Sequence, residues 1–195
     1  MDDFIQENGL SPEPSYCSDW TPAPGQAHLL VALFPDRTVQ HAISRHRQDW
    51  WWNKDCSFPP AERLHLTLQY LHDQRGDDEW RLRAALAEVR MHPLHLTLDS
   101  SCTWTNDVSV MQPSKHEGLQ RLQLDITNAL QRAGFPLLVR ERNWTPHVTI
   151  ARNSRRAASP GSLEPIRWTA TEFRLVRSHF TRPFRHESLG AYPLH

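Results

Sequence analysis

Arg63-Leu64-His65-Leu66-Thr67-Leu68-Gln69-Tyr70-Leu71 sets Leu64, Leu66 and Leu68 on one face and His65 and Thr67 on the other, the alternation of a half-buried strand. Upstream, His28 to Phe34 reads as a buried strand, Pro35-Asp36 as a turn and helix N-cap, and the segment to about Trp50 as a helix with Val39, Ala42, Ile43 and Trp50 on one stripe. Pro59-Pro60 makes Trp51 to Glu62 a loop. Downstream, Asp77 or Asp78 caps a helix running to about Met91, and Leu94 to Asp99 alternates again, with Val108 to Met111 returning antiparallel to it. A long helical stripe fills Ser114 to Ala133 and stops at Gly134. Leu137 to Arg140, His147 to Ala151, Thr171 to Val176 and Leu189 to Tyr192 are further strands. Strand-helix-strand therefore occurs twice, followed by more strands, which predicts an α+β fold with helices packed on antiparallel sheets.

Residues 1–26 carry Pro12, Pro14, Pro22 and Pro24 and no apolar period, so they are expected to be a disordered acidic leader to a single domain over 27–195. No apolar run reaches the length of a membrane span, and the start has neither the basic nor the apolar region of a secretory signal. The cytoplasm is the expected compartment. Cys17, Cys56 and Cys102 offer no C-x-x-C pair, which argues against a disulfide framework or a structural zinc site. Twenty-two basic residues balance 22 acidic ones, yet residues 1–27 hold five acids and no Lys or Arg. Apart from Lys54 and Lys115 every basic residue is Arg, the better bidentate partner for phosphate.

The pattern His-x-Thr in the opening stretch recurs in Pro146-His147-Val148-Thr149-Ile150. On a strand each copy presents an imidazole and a hydroxyl side by side. Two copies facing one cleft suit phosphoester hydrolysis without a metal: one imidazole donates to the departing oxygen, the other takes a proton from water, and the hydroxyls hold phosphate oxygens. A third copy, Leu94-His95-Leu96-Thr97-Leu98, competes, and spacing alone does not choose which two share a site. The remaining histidine pairs lack the spacing of a metal motif, so no metal or cofactor is expected. Trp50-Trp51-Trp52 reads either as a rim for RNA or as a helix end tucked under a loop.

Leu64-His-Leu-Thr-Leu-Gln-Tyr-Leu71, with Pro146-His-Val-Thr-Ile-Ala-Arg152 82 residues after it, resembles the bacterial RNA 2',3'-cyclic phosphodiesterases, also called 2'-5' RNA ligases, of the 2H phosphoesterase superfamily. Leu29 to Asp36, Leu119 to Phe135 and Phe173 to Ser178 extend the likeness over residues 28–195. The resemblance implies a bilobal fold in which two antiparallel sheets, in pseudo-twofold related lobes, form a central cleft with helices outside. It makes His65 the proton donor, His147 the acceptor and Thr67 and Thr149 phosphate ligands, and it reduces His95 to a strand residue. Arg152 is expected to bind substrate if its strand bends, Tyr70 and Trp144 to stack on a base, and Arg142 to replace the arginine that Thr145 displaces from the family pattern. His72 stands where the family has glycine. The expected partner is an RNA end or a small cyclic nucleotide, with hydrolysis to a 2'-phosphate and reversible 2'-5' ligation, by a monomer. The alternatives are a catalytically idle RNA-binding module and a relative acting on 2'-5' oligonucleotides or ADP-ribose cyclic phosphate.

Overall fold

A computed structural model describes residues 27–137, 144–179 and 185–195. The expected leader, Arg142 and most of the strand expected over Leu137 to Arg140 lie outside them. The elements run β1 (Ala27–Leu33), α1 (Arg37–Gln48), a 3-10 turn (Ala61–Arg63), β2 (Leu66–His72), α2 (Asp77–Ala87), β3 (Leu94–Thr103), β4 (Val108–Pro113), α3 (Glu117–Arg132), β5 (Val148–Arg152), β6 (Ile166–Ala170), β7 (Glu172–His179) and β8 (Arg185–Pro193).

Helix boundaries follow their caps. The Asp36 carboxylate accepts from Val39 N–H at 3.0 Å and opens α1. α3 starts three residues later than the sequence predicts, because His116 rather than Ser114 accepts from Leu119 N–H. It ends before Gly134, whose φ of 80° suits a residue without Cβ. α2 is capped by Gly76 at φ 58°, while Asp77, Asp78 and Glu79 occupy its first turn, where the helix dipole favours negative charge. β6 escaped the sequence reading.

The fold is α+β, but the expected two sheets are one. All strands lie in a single curled sheet of order β6-β3-β4-β5-β2-β1-β7-β8, and every neighbouring pair is antiparallel. Among the described residues β2 and β5 pair at Leu66 with Val148, and the bridge of Ser57 to Arg152 adds a second link between the halves. Each half contains the same unit, β1-α1-β2 and β4-α3-β5, and β2 and β5 are the inner strands. The three helices pack on one face, where Ile43, Leu82, Leu86, Leu122 and Ile126 meet Leu29, Val31, Leu66, Leu68, Val148 and Ile150. Among the described residues the opposite face carries a small apolar cluster of Leu30, Ala32 and Val176 with Phe34 and Tyr70. That uncovered face is the groove.

Both inner strands carry a bulge at the same motif position. Val31 and Ala32 pair with Gln69 and Thr67, leaving Leu68 extra, and Ser109 and Val110 pair with Ala151 and Thr149, leaving Ile150 extra. A bulge turns two successive residues toward one side and resets the pleat. Beyond it, Thr67 and Tyr70 share a face, as do Thr149 and Arg152.

At the far end of β7, Arg177 is 3% exposed and bonds Asp73 at 2.7 Å, Glu79 at 2.7 Å and the Gln74 carbonyl at 2.9 Å, tying β7 to the start of α2. Removing one member of such a pair strands buried charge. Arg177→Met is expected to lower stability by about 3 kcal/mol, read as a fall in the urea midpoint. Arg121→Ala breaks only the exposed bridge to Asp125 and is expected to cost under about 1 kcal/mol.

Candidate active site

His65 and His147 stand one residue before β2 and β5, each beside the pair that joins those strands. Antiparallel geometry around Leu66 and Val148 sets His65 across from Thr149 and Thr67 across from His147, all turned away from the core. The two histidines are then diagonal neighbours, ~7–8 Å apart between backbones. His65 Nδ1–H donates to the Arg63 carbonyl at 2.7 Å, and His147 Nδ1–H donates to the Thr145 carbonyl at 2.8 Å. A carbonyl only accepts, so both neutral rings keep the proton on Nδ1 and present Nε2 as a lone pair.

Burial holds both imidazoles down to about 4, against the opposing pull of their carbonyl partners. The Arg152 guanidinium lowers each further, Arg63 adds to the effect on His65, and the charge of His65 bears on His147. Arg152 thus lies on the groove side with both histidines, where the bulge at Ile150 puts it; a regular strand would have turned it away. The Thr67 hydroxyl faces the Tyr70 oxygen at 3.4 Å.

Tyr70 meets His28 edge to face, with ring centres 5.5 Å apart. The Trp144 indole N–H donates to the Thr67 carbonyl at 2.9 Å, lashing the approach to the second motif onto the strand of the first. His95 is exposed on β3, within 3.2 Å of the Thr169 hydroxyl on β6, and β4 separates it from β5. His72 ends β2 without a positive φ, so the missing glycine changes nothing there. Trp50 and Trp52 stack at 4.7 Å and Trp51 is exposed. Among the described residues no three His, Cys, Asp or Glu side chains gather as a metal-binding set.

Sequence reasoning missed the neighbours of the pair. His147 packs on Trp104 at 4.6 Å, and His65 lies 5.6 Å from Phe34 and 5.5 Å from His186. The Arg63 guanidinium donates to His186 Nε2 at 3.4 Å. Burial brings His28 to about 4 and His186 to about 3, each further lowered by His65. Only Arg63 left a signal in the sequence, since it precedes His65 by the two residues that separate Thr145 from His147.

The model of the 2'-5' RNA ligase superfamily matches residues 29–182. The chain belongs to that superfamily. The Escherichia coli protein named RNA 2',3'-cyclic phosphodiesterase is 29% identical over 141 residues, 64% of this chain and 76% of its own. A crystal structure of a phosphoesterase superposes with a TM-score of 0.75 at 25% identity, covering 88% of this chain and 99% of the other. Escherichia coli LigT, crystallised with 3'-AMP, has the same fold, with a TM-score of 0.72 at 23% identity and the same coverage. As a 2'-5' RNA ligase superfamily member the chain is of the 2H phosphoesterase fold, and no described helix is long and apolar enough to cross a membrane.

Burial brings four imidazoles, His28, His65, His147 and His186, to about 3 to 4, which has a thermodynamic consequence. Each is neutral in the folded chain at pH values where its unfolded counterpart, near 6.5, becomes charged. Their contribution is complete above about pH 6.5 and is lost as pH falls toward about 4. Thermal melts from pH 7.5 to 4.5 are expected to show a falling Tm, with a shallower fall in His28→Asn.

Proposed function

We propose that this chain hydrolyses 2',3'-cyclic phosphates, at RNA ends or on small cyclic nucleotides, to 2'-phosphates by acid–base catalysis with two histidines and no metal. The observation that carries this reading is the matched tether of His65 and His147, each held through Nδ1 by the carbonyl two residues before it, beside the pair Leu66 and Val148 that joins their strands. The name of the Escherichia coli relative supports the substrate.

In the forward reaction water attacks phosphorus and the bond to the 3'-oxygen breaks. His147 Nε2 receives the proton of the water, and protonated His65 delivers its Nε2 proton to the departing oxygen. Thr67 and Thr149 donate to non-bridging oxygens, and Arg152 balances the charge that grows on them. Solvent then returns the proton to His65 and removes that of His147. With the 5'-hydroxyl of a second strand in place of water, the same steps form the new P–O bond, break the bond to the protonated 3'-oxygen and leave a 2'-5' linkage.

Substrate alters the proton balance. The free pair is depressed to about 4, so the singly protonated form peaks on the acid side of 6.5. A bound phosphate supplies negative charge and restores proton affinity to the donor. Bell-shaped profiles are therefore expected, with the optimum of kcat/KM below pH 6.5 and that of kcat at higher pH; a flat profile from pH 5 to 9 refutes two-histidine catalysis.

Hydrolysis of an RNA ending in a 2',3'-cyclic phosphate is expected to persist in EDTA. It should fall about 10²–10⁴-fold in both His65→Ala and His147→Ala and survive His95→Ala. Loss in His95→Ala with retention in His147→Ala would reject this pair.

A further inference from the structure

The residues two before each motif histidine do the same work through the backbone, each lending its carbonyl to an imidazole Nδ1–H. Their side chains differ. Thr145 is short, whereas Arg63 extends a half-buried guanidinium to His186 Nε2 at 3.4 Å. His186 comes from β8, and its ring sits 5.5 Å from His65 and 6.1 Å from Phe34. Arg63, His65 and His186 thus form a closed triangle on the groove face: carbonyl to imidazole, guanidinium to imidazole, ring to ring. Burial and the charges of His65, Arg63 and His28 keep His186 neutral, so its Nε2 remains an acceptor at neutral pH.

The guanidinium reaches His186, whose ring lies beside that of His65. In the function proposed above, His65, Thr67, His147 and Thr149 surround the reacting phosphate, and Arg63, the last residue of the 3-10 turn, precedes His65 on the side of the chain away from Thr67. The charge of Arg152 bears on Arg63, which places the two guanidiniums near one another. A cyclic mononucleotide has one phosphate and fills only the inner place. The terminal nucleotide of a strand carries a second phosphodiester on its 5' side, one step away.

We propose that Arg63, clamped by His186, is a second phosphate subsite, which makes the end of an RNA strand a better substrate than a lone cyclic mononucleotide. The inference rests on the function proposed above and names the substrate class that the same site selects.

The test uses the full chain, with a fluorescent single-stranded oligoribonucleotide ending in a 2'-phosphate as the binding probe between 50 and 300 mM salt. One phosphate contact on a single strand accounts for ~0.7 in the slope of log affinity against log salt. Arg63→Gln is expected to flatten the slope by about that amount. His186→Phe removes the acceptor and is expected to act in the same direction; His186→Gln restores an acceptor and should recover most of the slope. In turnover, the ratio of kcat/KM for an oligonucleotide cyclic phosphate to that for a cyclic mononucleotide should drop about tenfold in Arg63→Gln, one charged contact being of that order. An unchanged slope and ratio in Arg63→Gln overturns the subsite, as does equal loss on both substrates. Failure of the unsubstituted chain to cleave any cyclic phosphate would instead overturn the proposed function, and the binding arm would still decide the subsite.

Discussion

One pairing between strands, Leu66 with Val148, holds the two halves of the sheet in register, and the site exists because of it. Both side chains are wholly buried under the helices, so the residues flanking them in the chain must face the groove. A slip of one residue at this point would exchange core for groove along both inner strands. The cost of burying His65 and His147 is thus borne by the packing of Leu66, Leu68, Val148 and Ile150 on the other face. The bond from Trp144 to the Thr67 carbonyl reinforces the same junction.

Duplication explains why the arrangement is so regular. Two strand-helix-strand units each deliver a histidine tethered by the carbonyl two residues before it, a hydroxyl two residues after it, and a bulge directly beyond. The bulge brings the fifth residue after each histidine back to the groove. In one half that residue is Tyr70 and in the other it is Arg152. An aromatic ring and a guanidinium therefore occupy equivalent places in the two halves, a division that under the proposed function fits a ligand with a base at one end and a phosphate at the other.

Much of this was legible in the sequence. Periodicity located β1, α1, the β3–β4 hairpin and α3, and the repeated tripeptide, read with the family resemblance, singled out His65 and His147 as the candidate pair. What it did not give has physical causes. The alternation over Arg63 to Leu71 hides the bulge, because Gln69 looks like an outward residue; it is fully buried, with its amide donating to the Thr127 hydroxyl on α3. The same device at Ile150 decides the direction of Arg152, which counting by twos puts on the wrong face. β6 was readable in Ile166, Trp168 and Ala170, but it follows a polar loop with only Thr171 between it and β7. The contact of His186 with His65 spans more than a hundred residues and depends on β8 pairing with β7, which no local pattern announces.

The equivalence of the halves raises a difficulty that their surroundings resolve. Two identical imidazoles, both depressed to about 4, do not by themselves divide into an acid and a base. Their protons belong to the pair. The difference comes from what each ring rests on. Trp104 offers His147 an aromatic face without charge, whereas His65 has the Arg63 guanidinium and His186 close by. The guanidiniums of Arg63 and Arg152 disfavour a proton on His65, and His65 and Arg152 disfavour one on His147; the same cations would draw a phosphate toward the pair. In the proposed reaction, the negative charge of a bound phosphate offsets that repulsion, so the ligand places the proton and neither histidine has to be charged beforehand.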